Sequence, residues 1–113
     1  MRRALLPFLL IAACSKGPEA DLQYISQARS LTAEWALVNE QAERGHLTAA
    51  YVDTMHQDLR QQLQSTAASL TNPRSAYGRQ IQAVLREPDD APPHELRAYA
   101  SKLKQIEDSL ESA

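Results

Sequence analysis

Between two long amphipathic stripes the chain carries Arg44-Gly45-His46-Leu47-Thr48, and this short stretch constrains the fold more than any other. Gly45 stands where a helix needs positive φ to close its last turn, a backbone region that only glycine enters without steric cost. Thr48 offers a side-chain oxygen to the bare amides of a following helix, and Leu47 ahead of it is placed to pack on Val52 as a staple. Glu40, four residues before Arg44, adds a favourable pair in the closing turn. A helix stop followed at once by a helix start forces the two stripes to run antiparallel as neighbours.

The stripes themselves are regular. The first helix is expected from about Ala20 to Arg44, with Tyr24, Ala28, Leu31, Trp35, Val38 and Ala42 on one side at spacings of three and four. A weaker apolar side carries Leu22, Ala33, Ala36 and Leu37 with Ile25 at its edge, which predicts neighbours on two sides of this helix. The second helix runs from Thr48 to about Thr71 through Val52, Met55, Leu59, Leu63, Thr66 and Leu70. Asn72-Pro73 reads as N-cap and first-turn proline of a third helix, about Pro73 to Arg86, in which Gly78 costs about 1 kcal/mol relative to alanine. EPDDAPP, Glu87 to Pro93, breaks the chain before a fourth helix from Pro93 to about Glu111, with Leu96, Tyr99, Leu103, Ile106 and Leu110 as its seam. No strand-like alternation occurs, so the fold class is all-α: an antiparallel hairpin extended to a small three- or four-helix bundle. Should Gly45 not turn the chain, the alternative is one continuous helix from about residue 20 to 71, an extended coiled-coil spacer dimerising through the Trp35 stripe.

Ahead of the bundle stands MRRALLPFLLIAAC. Arg2 and Arg3 precede an apolar run from Ala4 to Ala13, the layout of a secretory signal and too short for a membrane-spanning helix, which needs roughly 20 residues. Ile11-Ala12-Ala13-Cys14 resembles the lipobox of bacterial lipoproteins. That resemblance implies a diacylglyceryl group on the Cys14 thiol, cleavage of residues 1–13, and in many bacteria acylation of the new amine by a chain such as palmitate. At about 0.8 kcal/mol per buried methylene, two or three chains anchor durably where one does not. Ser15, where an aspartate favours retention at the inner membrane, implies the outer membrane and a domain facing the periplasm. The competing reading is an ordinary secretory signal cut before Cys14. Residues 14–19 are then a short tether and residues 20–113 the helical domain.

Without residues 1–13 the chain has 10 basic and 14 acidic residues, a net charge of −4 that excludes nucleic acid as a partner. Cys14 is the only cysteine, so no disulfide forms within the chain. Leu, Ile and Val number 17 in the 100 residues after the signal, a thin core that leaves apolar surface for a partner. Trp35, on a stripe with Leu31 and Val38, reads first as a core residue; with Leu22 and Leu37 it is also a partner-binding candidate.

Chemistry is harder to find. No Gly-x-Ser-x-Gly elbow presents a nucleophile, the three glycines are isolated, and the carboxylates are scattered, so neither an enzyme nor a cofactor is expected. Of His46, His56 and His94, only His56 has companions, Asp53 and Arg60 on the same flank, expected as a solvated ion-pair cluster. A metal would have to use His56 and Asp53, and further ligands at helical spacing are missing. The function expected is a lipid-anchored, non-catalytic interaction module of the bacterial cell envelope. It meets the membrane through Cys14 and an envelope protein, or a second copy of itself, through a helix face. The alternative is a periplasmic ligand- or metal-sensing protein using His56 and nearby carboxylates.

Overall fold

A computed structural model of the chain describes residues 18–112; the signal segment and Cys14 lie outside these. A short 3₁₀ turn, Pro18–Asp21, leads into α1 (Leu22–Glu43), followed by α2 (Ala49–Ser69), α3 (Ala76–Leu85) and α4 (Pro93–Ser112). Among the described residues there is no strand, and the architecture is a small all-α bundle of four helices.

The turn after α1 closes as its residues demand. Gly45 has φ +74°, its N–H donates to Ala42 O (3.0 Å), and His46 N–H reaches back to Gln41 O (2.9 Å), the paired bonds of a Schellman cap. Thr48 Oγ1 then accepts from Tyr51 N (3.2 Å) and α2 begins. A continuous helix through this point is therefore not formed, and the extended spacer is set aside. A Cβ at Gly45 would meet nothing within 4 Å, so the requirement there is purely one of backbone conformation. Gly45→Val should cost about 1–2 kcal/mol. Gly45→Asn should avoid most of that cost, because asparagine tolerates the left-handed region. Thermal unfolding of the two variants checks this: equal midpoints would mean that positive φ is not what residue 45 supplies.

α1 is the central helix. It packs along α2 on one side and, more extensively, along α4 on the other, while α3 lies across α2 and α4. Arg29 pairs with Glu107 (2.8 Å) and Arg97 with Glu40 (2.8 Å), which fixes α4 antiparallel to α1. The expectation of two buried sides holds in Ile25 and Ala36, both 0 % exposed, and stops at Leu37, which is 51 % exposed. The core is made by Ile25, Leu31 and Trp35 of α1, Leu59 and Leu63 of α2, Ile81 and Val84 of α3, and Leu96 and Leu103 of α4.

The start of α3 differs from expectation. Asn72-Pro73 does not open the helix: Ser75 is its N-cap, with Oγ accepting from Gly78 N (3.2 Å). The reason is that Asn72 is already engaged, donating its N–H to Asp21 and accepting from Ser75 N (3.1 Å), so residues 72–75 close as a turn before the helix starts. The turn lies so close to α3 that a Cβ on Gly78 would run into the Pro73 backbone carbonyl. The glycine that weakens α3 in isolation is what lets it dock.

Candidate functional site

Trp35 and Asn39 lie one turn apart on α1, and His56 and Arg60 one turn apart on α2, so each pair shares a helix face and the two faces meet under the α3–α4 link. That link is rich in proline, and each proline removes a backbone N–H donor while leaving its carbonyl. Three of the four side chains answer with donors. Trp35 Nε1–H and Asn39 Nδ2–H both donate to Asp89 O (2.9 and 3.0 Å), and Asn39 Nδ2–H also donates to Ala91 O (2.8 Å). Arg60 donates to Leu85 O (2.8 Å), Glu87 O (3.0 Å) and the Asp89 carboxylate (2.8 Å). Its Cζ stands 4.9 Å from the centre of the Trp35 ring, a cation–π contact added to the ring's burial.

These bonds fix which ring nitrogen of His56 donates to Asn39. Both Asn39 amide hydrogens are committed to carbonyls, so its Oδ1 is the atom 2.7 Å from His56 Nε2, and Nε2 must donate. In the neutral ring Nδ1 is therefore a bare acceptor. Among the described residues no fully buried side-chain nitrogen or oxygen lacks a partner, so Nδ1, which makes no hydrogen bond, meets open space. A cavity of about 240 Å³ lies beside the ring, lined by Asn39, Ala42, Glu43, Val52, His56 and Asp90.

A second polar cluster sits at the other end of α1. The Asp21 side chain does not cap its own helix; Oδ1 accepts from Thr71 N (2.8 Å) and Thr71 Oγ1 (3.0 Å), and Oδ2 from Asn72 N (3.0 Å) and the Tyr77 hydroxyl (2.6 Å). Burial pushes the Asp21 carboxyl up, but these donors outweigh it and hold its pKa below the ordinary value. Tyr77 is pushed above its ordinary value by burial and by the hydrogen bond its neutral form gives to Asp21. Beside this cluster an apolar groove of about 670 Å³ runs between residues 71–77 and Ile106 and Leu110 of α4.

Several sequence expectations change here. Trp35 is 1 % exposed, the core position its stripe predicts, which removes it as a partner contact. Leu37 is exposed and Leu22 half-buried, so of the three candidates only these reach the surface. Asp53, His56 and Arg60 do not form a solvated ion-pair cluster: His56 (8 % exposed) is buried against Asn39 and Trp35 of α1, Arg60 is drawn to the α3–α4 link, and Asp53 stays exposed. Among the described residues no three His, Cys, Asp or Glu side chains converge as metal ligands. Cys14 lies outside the described residues. Asn39 and Asp21, the hubs of the two clusters, were not foreseen. Asn39 left one trace, as a polar residue four places after Trp35 on the buried face. The chain matches no protein-family model, no curated protein and no solved structure, and its chemistry is read from this geometry alone.

Proposed function

We propose that this chain is a bacterial lipoprotein, anchored through Cys14, whose helical bundle is a non-catalytic interaction module of the cell envelope. The observation that carries the proposal is the N-terminal pattern: two arginines, a ten-residue apolar run and Ile11-Ala12-Ala13 placed directly before the only cysteine. No helix of the described residues is long and apolar enough to cross a membrane, so on this reading attachment rests on the lipid. Six residues separate Cys14 from Asp21, which keeps the N-terminal end of α1 near the bilayer, and Ser15 favours the outer membrane, with the bundle in the periplasm. Attachment confines the module to two dimensions, where even a weak contact through Leu37 or Leu22 reaches useful occupancy. The partner on this reading is an envelope protein or a second copy of the chain.

Cys14→Ala is expected to abolish incorporation of labelled fatty acid and to leave uncleaved precursor, read by autoradiography and by gel mobility. Normal labelling and processing in that variant would overturn the anchor. A photo-crosslinker at position 37 is expected to capture one discrete envelope protein or a dimer of the chain, and the same probe at Trp35 nothing but intramolecular product. Capture from both positions alike would remove the helix-face reading.

A further inference from the structure

We infer that the cavity beside His56 is a binding site for a primary alkylammonium group. The buried imidazole lines this cavity, its Nε2 donates to Asn39, and its Nδ1 is the ring nitrogen left free to accept. Glu43 and Asp90 line the same space, both exposed, and neither makes an ion pair or a side-chain hydrogen bond among the described residues. The neighbouring cations are already matched: Arg60 pairs with Asp89 and Arg44 with Glu40. No lysine or arginine lines the cavity, so its potential is negative.

The acceptor set selects the ligand. A primary ammonium has three N–H donors in a trigonal arrangement, one for the imidazole nitrogen and one for each carboxylate. Val52 and Ala42 form the apolar part of the wall, suited to the methylene stem that carries such a group. A metal ion needs its ligands within about 2.0–2.3 Å, and the imidazole and carboxylates here do not gather as a metal-binding group. Hydrogen bonds near 2.9 Å accept a looser arrangement. At about 240 Å³ the cavity is below the usual range for whole drug-sized ligands, about 300–1,000 Å³, and matches a side-chain-sized group.

The amine has two sources, a small free amine or the lysine side chain of a partner protein. In the second case this inference deepens the interaction-module reading by naming what the module grips; the cavity itself stands whether or not Cys14 is lipidated. Its position favours outward presentation. Asn39 lies 17 residues beyond Leu22 along α1, about 26 Å from the end that joins the tether.

The test uses the full-length chain in detergent micelles with ¹⁵N-labelled histidine, and follows the His56 ring nitrogens during titration with n-butylammonium. A saturable shift of Nδ1 in the millimolar range is expected, weakening as salt is raised, with no comparable response to 1-butanol or tetramethylammonium, which lack the N–H donors. Glu43→Gln with Asp90→Asn, both on exposed positions, should leave the helical spectrum unchanged and weaken binding at least tenfold. A short peptide with one internal lysine, compared with the same peptide acetylated on that lysine, separates the sources: tighter binding of the free-lysine peptide than of n-butylammonium assigns the site to a protein partner, and the reverse order to a small amine. No saturable shift, an equal response to 1-butanol, or undiminished binding by the double variant would overturn the inference. The same titration on Cys14→Ala keeps its fate separate from that of the lipid anchor.

Discussion

Replacing Asp21 with alanine is expected to destabilise the domain by on the order of 3 kcal/mol, lowering the thermal midpoint by roughly 10 °C or more. The carboxylate is 0 % exposed and accepts four hydrogen bonds, two from backbone amides of the α2–α3 link and one from the buried Tyr77 hydroxyl. Removing it strands those donors in a space water reaches poorly. Asp21→Asn should fall between, since one oxygen remains while the new NH₂ faces the Asn72 amide and repels it. The pH dependence follows from the two displaced pKa values. Asp21 is depressed in the folded state, so its contribution is complete above the ordinary value of 3.8 and is lost as the pH falls from there through the lower folded value. Tyr77 is raised, so its contribution is complete below 10.0 and is lost as the pH rises through the higher folded value. Urea midpoints measured across pH should show both flanks in the native chain and a flattened acid flank in Asp21→Ala. An acid flank of unchanged steepness in that variant would show that other carboxylates carry it.

Trp35→Ala is expected to cost about 3–5 kcal/mol, the range for removing a large buried aromatic. Its ring is 1 % exposed, props the Arg60 guanidinium and donates to the Asp89 carbonyl, so the change opens a cavity and frees the α3–α4 link together. Leu37→Ala, two residues away at 51 % exposure, should change stability by no more than about 0.5 kcal/mol. Chemical denaturation of the two variants distinguishes core from surface on one helix. Near-equal effects would mean that Trp35 is not packed as described. In the same series Trp35→Phe should recover most of the packing but not the hydrogen bond to residue 89.

The helices were legible because each is announced locally. Periodicity at three and four places Leu31, Trp35, Leu59, Leu63, Leu96 and Leu103 in the core, and all are buried. Gly45 and Thr48 act on their own neighbours, so the turn between α1 and α2 could be read from five residues. The polar clusters could not, because their bonds join residues far apart in the chain: Asp21 to Tyr77, Trp35 and Asn39 to residue 89. Gly78 shows the same limit from the other side. Its helix propensity is a local quantity, and the Pro73 carbonyl that makes glycine necessary becomes visible only when the turn folds against α3. His56 looked solvated for a related reason, since the residues that hold it, Asn39 and Trp35, belong to the preceding helix and lie far back in the chain.

Asp21 closes the 3₁₀ turn through which the chain enters the bundle. Tension applied through that segment does not reach a fraying first turn. It arrives at a side chain cross-linked by hydrogen bonds to Thr71, Asn72 and Tyr77, and so is divided at once between α1 and the segment that leads into α3. The bundle is gripped at two strands of its chain instead of one, and a pull along the tether loads those bonds in parallel. On the lipoprotein reading, in which a leash runs from Cys14, the domain is thereby protected from being unravelled from that end.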